Sequence, residues 1–459
     1  MRKIYLVYAP NPVMGRMSFP MSLGFLAKAL HLGGFDFEGI DLLPVKPDKR
    51  IETFKEKVSG IDNAIFGFGL IMGNNTLKTC EKYAGVIKEH SENHTVIYGG
   101  PLPTAVPQMI LENCHCDYVV CGEGEKRLPA LLLALEKGSD TVEGVYSKGN
   151  IPHELGRPVI QKIKDLDYYS PPYYDAFDFD FYIDFYKEND MALEIMASRG
   201  CWAQCDFCFK SIGRGFHSRS AESILDEIEY LHERCLANKF MMRGENFLMN
   251  KKVVSDLIKG REKRGLDFRF RCSARIDDIN DELLDGLAGI VISIGMGIES
   301  LNQEFLDSVK KKTNVSGMER TINMIRKRGI DPRGAFIIGL PTDTEKDYEA
   351  VYDFIERAGL KGGGVNYLTP TPTPGTKLYN DTRDLVLTKT GCKNDWEYIK
   401  LLDSHYLFQE LVVNLSPFPD DVLKYHKNRI HKRLRSMHEK ISDKYQEWVN
   451  TDVIAWIED

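Results

Sequence analysis

Residues 191–208 read MALEIMASRGCWAQCDFC, an apolar segment followed directly by three cysteines. The segment Ala192–Ala197 has the length and apolar content of a buried β-strand, so Cys201, Cys205 and Cys208 fall in the loop that follows it. Such a loop allows three thiolates to converge without interrupting a helix. Cysteine thiolates hold iron–sulfur clusters, and three ligands for four irons leave one iron open. The spacing therefore favours a [4Fe–4S] cluster with one open coordination position.

A zinc site is the alternative interpretation of the same cysteines. It would need a second Cys or His pair at suitable spacing. The nearby candidates are His217 and Cys235, and Cys235 lies in a predicted amphipathic helix. We expect the seven cysteines outside the triplet, including the close group Cys114-His115-Cys116, to be buried as small apolar residues.

Composition restricts the classes of protein to which the chain can belong. Its 459 residues are 43% hydrophobic and 28% charged, with a net charge of −7, which is typical of a soluble globular protein and gives no basic surface for nucleic acid. There is no apolar run of about 18 residues that could span a membrane. The apolar run Ile4–Tyr8, which follows Met1-Arg2-Lys3, is too short for a signal peptide and is predicted to be the first strand. We expect a cytoplasmic protein with reduced cysteines.

The fold class predicted from the alternating pattern is α/β. Residues 1–145 are predicted to form a doubly wound parallel sheet, 146–190 a Pro- and Tyr-rich linker, and 381–459 a mainly helical tail. Residues 191–380 contain six β/α units, too few to close an eight-stranded barrel, and predict a partial barrel. The predicted strands are Ile4–Tyr8, Phe37–Asp41, Ala64–Leu70, Thr95–Tyr98, Asp117–Cys121, Ala192–Ala197, Phe240–Arg243, Asp267–Cys272, Ile290–Gly295, Gly334–Gly339 and Gly364–Tyr367.

The cysteine triplet, with an aromatic residue before the third cysteine, resembles the cluster motif of the radical S-adenosylmethionine (SAM) superfamily. Motifs at later strand ends are similar to those of the same family and occur in the same order. Each alone is more typical of a surface ion pair or a tight turn. The resemblance implies that the open iron binds SAM, which is then cleaved to a 5′-deoxyadenosyl radical. The residues that it assigns to SAM are Phe207, Gly244, Glu245, Arg275, Glu299, Ile338 and Gly339.

The N-terminal region resembles the cobalamin-binding domain that precedes the radical SAM core in one large subfamily. The segments that carry this resemblance are Pro20–Gly24, Asp41, Gly99–Thr104 and Gly122–Glu125. The motif Asp-x-His-x-x-Gly is absent, and the loop Ala9–Gly15 contains no histidine to ligate cobalt. A domain that docks a substrate or a partner, without cobalamin, is therefore the alternative. The residues assigned to cobalamin are Gly99, Gly100, Gly122, Glu123, Gly124 and Glu125.

The combined resemblance implies a cobalamin-dependent methyltransferase that acts at an unactivated carbon or phosphorus. One SAM would methylate cobalamin and a second would provide the radical. Two alternatives stay open: a cyclase, rearrangement or oxidation enzyme with the same cofactors, and a non-catalytic iron–sulfur or zinc-binding module. The expected partners are a small-molecule substrate of the natural-product or lipid type and an electron donor such as flavodoxin or ferredoxin. The basic segment His426–Arg435 continues to Met437, Ile441 and Tyr445, and these apolar residues form a narrow stripe opposite a basic face. It is predicted to be a solvated helix packed on the barrel by that stripe, with a docking face for an anionic substrate, an acidic reductant or a membrane surface as the alternative.

Overall fold

The computed structural model describes residues 2–10, 18–151, 162–210, 213, 215–360, 365–405 and 410–434. The strands in these residues are β1 (Ile4–Tyr8), β2 (Phe37–Asp41), β3 (Ile65–Gly69), β4 (Thr95–Gly99), β5 (Tyr118–Val120), β6 (Val145–Ser147), β7 (Leu193–Met196), β8 (Ser198–Cys201), β9 (Gly215–Ser218), β10 (Lys239–Arg243), β11 (Arg269–Ala274), β12 (Val291–Glu299), β13 (Asp331–Ile337) and β14 (Val365–Leu368).

The α-helices of the same residues lie between and after these strands. They are α1 (Met21–Leu32), α2 (Arg50–Ser59), α3 (Thr76–His90), α4 (Pro101–Ala105), α5 (Pro107–Asn113), α6 (Gly124–Glu136), α7 (Phe179–Glu188), α8 (Ala221–Cys235), α9 (Lys251–Lys263), α10 (Asp281–Leu287), α11 (Gln303–Ser308), α12 (Val315–Lys327), α13 (Glu345–Arg357), α14 (Lys377–Thr390), α15 (Asp395–Asp403) and α16 (Asp420–Leu434). Among these described helices, none combines the length and the apolar character needed to cross a membrane.

The N-terminal sheet has the strand order β2-β1-β3-β4-β5-β6. The first five strands pair in parallel, and β6 adds an antiparallel edge that the sequence analysis did not predict. Ile4–Val7 of β1 is buried on both faces, as expected for a parallel strand covered by helices. The strand order reverses at β1 and β3, and ligands of such sheets bind at this point, beyond the carboxyl ends of the strands. The predicted doubly wound sheet is confirmed.

The second sheet has the order β14-β13-β12-β11-β10-β7, and every neighbouring pair is parallel. Its six strands with their following helices form the predicted partial barrel. All the predicted strands are present, and the largest difference is at β12, which runs to Glu299 rather than Gly295. An antiparallel ribbon of β8 and β9, which was not predicted, follows β7 directly.

Three helices, α2, α7 and the six-residue α11, lie where the sequence analysis predicted no element. The first, α2, buries only Arg50, Phe54 and Val58, so its apolar pattern is too sparse to be recognised. The second, α7, lies within residues 146–190 and buries several aromatic side chains, among them Tyr182 and Phe185, in the main core. Aromatic residues on successive positions obscure the helical period, although their burial stabilises the helix.

The C-terminal helices α14 and α15 pack against the N-terminal domain, whereas α16 packs on the barrel. Tyr398 and Leu402 of α15 share a hydrophobic core with Tyr98 of β4. The carboxylate of Asp403 accepts the backbone N–H groups of Leu77 and Lys78, each at 2.9 Å, and so caps α3. Burial raises the pKa of Asp403 to about 6, although the backbone donors lower it. These contacts fix the segment after β3. The predicted basic helix corresponds to α16 up to Leu434, and Arg435 and the apolar positions 437, 441 and 445 lie outside the described residues.

We predict that Asp403→Asn lowers the free energy of unfolding by about 1–3 kcal/mol, because an amide has one acceptor oxygen for two buried N–H donors. Denaturant titration measures this change. Asp381→Asn, which removes an exposed partner of Lys377 on α14, is the control and is expected to have an effect within about 0.5 kcal/mol. Equal stabilities of the two variants would contradict a capping role for Asp403.

Candidate cluster site and cofactor cleft

The three cysteines of the triplet lie in and after β8, at the carboxyl end of β7. Cys201 is half-buried and pairs with Gly215 of β9, Cys205 is buried and Cys208 is exposed. Among the described residues, no group of three or more Cys, His, Asp or Glu side chains already converges as a metal site. The three thiols therefore lie in one loop but do not converge on a single point.

The surroundings of the thiols fit a cluster of positive irons. Cys208 is an exposed residue, but the loop partly desolvates its thiol, and this desolvation raises the pKa of the thiol to about 11. The Cys205 and Cys201 thiols and Glu245 raise this pKa further, whereas Lys210 lowers it. A bound metal stabilises the thiolate form. Hence the donor set has the chemistry that a [4Fe–4S] cluster requires.

Glu245 lies just after β10 and faces the cluster loop, which is the segment Cys201–Cys208 that carries the three cysteines. Its Oε2 atom accepts the backbone N–H of Gly200 at 2.8 Å, and its side chain is exposed at the mouth of the barrel. The preceding Gly244 has a φ of +154°, and a Cβ atom there would lie 2.1 Å from the Ser198 Oγ atom. Glycine is therefore required at this position, which lets the loop after β10 approach the cluster strand.

Arg275 lies at the end of β11, beside the cysteine loop. Its Nη1 atom is 3.8 Å from the Cys205 Sγ atom, and its Nη2 atom donates to the Lys311 carbonyl at 2.5 Å. The buried side chain of Asn246 accepts the Arg275 backbone N–H at 3.1 Å. The guanidinium is thus held at the edge of the cluster loop by the segment that contains Lys311.

Glu299, at the end of β12, is paired with Lys311, which the sequence analysis did not single out. The Lys311 Nζ atom lies 2.9 Å from the Glu299 Oε1 atom, and the lysine side chain is only 7% exposed. A Cβ atom at Gly297 would lie 2.3 Å from the same Glu299 oxygen, so glycine provides room for the pair. The run Lys310-Lys311-Lys312 carries no signal for this pair in the sequence, because lysines are mostly exposed unless the fold supplies a partner.

Two of the remaining residues assigned to SAM, Ile338 and Gly339, lie apart from this network. Ile338 is fully buried in the core, and a Cβ atom at Gly339 would lie 2.7 Å from the Leu423 side chain of α16. The N–H groups of Gly339 and Leu340 both donate to Asp343 at 2.8 Å. Phe207 is half-buried within the cysteine loop. The described contacts therefore connect Glu245, Arg275 and Glu299 to the cluster loop, but not Ile338 and Gly339.

The six residues assigned to cobalamin line one cleft of about 240 Å³ at the carboxyl edge of the N-terminal sheet. Its walls are mostly apolar. At Gly100, with φ of +99°, a Cβ atom would lie 2.6 Å from the Leu70 carbonyl oxygen, so only glycine allows the turn. Backbone and apolar walls suit contact with an apolar ligand surface, such as the face of a corrin ring. The cleft residues that sequence analysis missed include Leu6, Leu26, Leu70, Met196 and Arg199.

The loop before this cleft, Ala9–Gly15, lies mostly outside the described residues. The observation that it contains no histidine therefore rests on the sequence alone. The carboxylates of Glu123 and Glu125 are engaged by the Arg199 guanidinium, at 2.8 Å and 2.5 Å, rather than directed only into the cleft. Arg199 and Met196 belong to the barrel, so the cleft is closed on one side by the region that carries the cysteines.

Comparison with known proteins agrees with this architecture. Two family models match the chain: the B12 binding domain over residues 16–132 and the Radical SAM superfamily over residues 195–355. An uncharacterised methyltransferase of Pyrococcus horikoshii is 28% identical, with 84% of each chain covered. The anaerobic magnesium-protoporphyrin IX monomethyl ester cyclase of Rubrivivax gelatinosus is 26% identical, with 80% of this chain and 67% of the cyclase covered.

Among solved structures, the radical SAM methyltransferase TsrM from Kitasatospora setae, with cobalamin and a [4Fe–4S] cluster bound, superposes with a TM-score of 0.70. The match covers 84% of this chain and 75% of TsrM at 18% sequence identity, which shows a shared fold. The two matched family models follow one another in the order of the two sheets. The chain therefore carries a B12 binding domain over residues 16–132, followed by a radical SAM domain over residues 195–355.

Proposed function

We propose that this protein is a cobalamin-dependent radical SAM methyltransferase that acts at an unactivated carbon or phosphorus of a small molecule. One observation carries the proposal. The cleft of the B12 binding domain and the cysteine loop share a wall, because Met196 and Arg199 line the cleft and Cys201 follows two residues after Arg199. Two cofactor sites that adjoin in this way can act on one substrate held between them.

The residues of the barrel have distinct tasks in this proposal. Cys201, Cys205 and Cys208 hold the cluster, and Glu245 accepts a hydrogen bond from the ammonium group of SAM. Arg275 offers its guanidinium to the carboxylate of SAM, for which its planar donors are suited. When bound, the cluster supplies the electron that splits SAM into methionine and a 5′-deoxyadenosyl radical, and cobalamin supplies the methyl group.

The apolar walls of the cleft have a protective task. Leu6, Leu23, Leu26 and Leu70 line it. Such a surface excludes water, and a closed site protects reactive intermediates from side reactions. We propose that a low-potential donor such as flavodoxin or ferredoxin reduces the cluster in the cytoplasm, where thiols stay reduced.

Two of the compared proteins support methyl transfer by their names, namely the Pyrococcus methyltransferase and TsrM. The Rubrivivax cyclase favours a second candidate, a cyclisation or oxidation that uses both cofactors without methyl transfer. The two candidates differ in their use of SAM. A methyltransferase forms S-adenosylhomocysteine as well as 5′-deoxyadenosine, whereas the second candidate forms 5′-deoxyadenosine alone.

The proposed function is tested with anaerobically reconstituted protein, cobalamin, SAM and titanium(III) citrate as reductant. We expect both S-adenosylhomocysteine and 5′-deoxyadenosine, quantified by mass spectrometry, and loss of only the former when cobalamin is omitted. Formation of 5′-deoxyadenosine alone, with cobalamin present, would support the second candidate. A protein that forms neither product would contradict both and would favour a non-catalytic metal-binding module.

We predict that replacing any one of Cys201, Cys205 and Cys208 by Ala abolishes SAM cleavage and lowers the iron content, because each thiolate binds one iron and two thiolates would leave two of the four irons without a protein ligand. Iron and sulfide analysis and the yield of 5′-deoxyadenosine measure this. Cys392→Ala, at a half-buried cysteine outside the triplet, is the matched control and should retain cluster and cleavage. Cleavage that survives in a triplet variant would refute the cluster assignment.

We predict that Arg275→Gln weakens SAM binding about 10- to 100-fold, because a hydrogen bond between charged groups contributes about 1.5–3 kcal/mol. The dissociation constant of SAM, measured by titration of the reconstituted protein, reports this directly. Arg328→Gln serves as control, since Arg328 pairs with Asp281 and Asp285 at the surface of the barrel. Equal affinities of the two variants for SAM would exclude Arg275 from the binding site.

A further inference from the structure

The wall between the cleft and the cysteine loop contains a buried group of three charges. The Arg199 Nη1 atom lies 2.8 Å from Glu123 Oε1, and its Nη2 atom lies 2.5 Å from Glu125 Oε1. The side chains of Arg199, Glu123 and Glu125 are 12%, 1% and 5% exposed. The carboxylates belong to the loop and helix start after β5, whereas the guanidinium belongs to β8. One side chain thus joins the B12 binding domain to the cluster strand.

Further contacts fix both ends of this group. The second oxygen of Glu123 accepts the Ile163 backbone N–H at 2.7 Å, so neither oxygen can turn without loss of a bond. The Arg199 guanidinium also lies over the Phe25 ring of α1, with 5.1 Å to the centroid. The arginine therefore meets two separate elements of the N-terminal domain.

The strand that bears Arg199 is itself held on its other side. Arg199 pairs with His217 and Cys201 pairs with Gly215 in the β8–β9 ribbon. The N–H of the intervening Gly200 donates to Glu245 at 2.8 Å. Consecutive residues of β8 thus contact the N-terminal domain, the proposed SAM site and the cluster loop. A shift of Arg199 would be transmitted to Cys201 over two residues.

Stability alone does not account for this arrangement. Burying three charges carries a desolvation cost that often equals or exceeds their attraction, and an apolar wall of similar volume would be as stable. The charged group instead fixes the positions of the residues that it joins. A guanidinium presents donors in a fixed planar fork and can bind two carboxylates at once, whereas a lysine ammonium is a single point charge on a flexible chain. Buried ionic groups of this kind are best attested as devices that fix register.

We infer that Arg199 is a positioning residue that fixes the separation and orientation of the cluster loop relative to the cobalamin cleft through its two bonds to Glu123 and Glu125. The inference rests on the proposed function, since it requires that both cofactors bind. It also assigns the two glutamates a task different from the cobalamin contacts that the sequence resemblance implies. Their carboxylates bind the arginine, and the adjoining glycines Gly122 and Gly124 form the surface of the cleft.

The test measures how strongly the reduced cluster relaxes the electron spin of cob(II)alamin in the reconstituted full chain. The readout is the microwave power at half-saturation of the cob(II)alamin signal, with the cluster reduced and oxidised. In Arg199→Lys we expect this enhancement to change about two-fold or more, because supporting residues hold such sites to within about 0.5 Å. Glu125→Gln, which weakens one arm of the fork, should change it less and in the same direction.

Arg264→Gln is the matched control, since Arg264 also binds several carboxylates, Glu222, Asp226 and Glu229, but only within the barrel. We expect it to keep the wild-type relaxation. An Arg199→Lys variant that binds both cofactors and keeps the wild-type relaxation would overturn the inference. An Arg199→Lys variant that differs from wild type only in its unfolding temperature would also overturn the inference, because the charged group would then contribute to stability alone.

Failure of the proposed function would give a different result. In that case the wild-type protein itself would take up no cobalamin or would show no relaxation by the cluster, and Arg199 would lose its assigned task. Cobalamin uptake by wild type, by Arg199→Lys and by Arg264→Gln is therefore recorded by absorbance before the spin measurement. Equal uptake with altered relaxation supports a positioning role specifically.

Discussion

Parallel strands deliver the loops that follow them to one edge of the sheet, and both sheets of this protein are built almost entirely from parallel pairs. The glycine turns after β4 and β5 therefore meet in one cleft, and the loops after β7, β10, β11 and β12 meet around the cysteines. The two edges face each other at Arg199. Every functional contact that we describe lies at one of these edges or between them.

The polar residues around the cysteines are already paired with one another. Lys311 neutralises Glu299, the Lys311 carbonyl holds Arg275, and Arg275 reaches Cys205. Buried charges without partners would be costly, so this network keeps the groups in place before a ligand arrives. Groups fixed in advance need no rearrangement when charge develops in a reaction. A SAM molecule would meet a surface of oriented donors and acceptors.

Much of the fold could be predicted because the strands are short, nearly continuous apolar runs, as at Ile4–Tyr8 and Ala64–Leu70. The helix at Arg50–Ser59 escaped prediction, since few of its residues are apolar, and β6 is too short to leave a pattern. Local signals report local periodicity, so elements stabilised by tertiary contacts are the ones that sequence analysis misses.

The site residues also divide into those that have a local signal in the sequence and those that only the fold brings together. The cysteines and glycine turns were recognisable because their spacing along the chain is short. Arg199 was not, because its partners lie more than 70 residues away and an arginine before a cysteine carries no signal by itself. Lys311 likewise reaches Glu299 only through the fold. Ile338 and Gly339, which the family resemblance assigned to SAM, have no described contact to the cluster network, and their assignment stays a prediction.

The central claim is that the cysteine loop holds a cluster whose open iron binds SAM. Electron paramagnetic resonance of the dithionite-reduced, anaerobically reconstituted protein tests it most directly, before and after addition of SAM. Our account predicts a cluster signal whose g values shift when SAM is added, because SAM becomes a ligand of the open iron. A spectrum that SAM leaves unchanged, in protein with a full complement of iron, would contradict it.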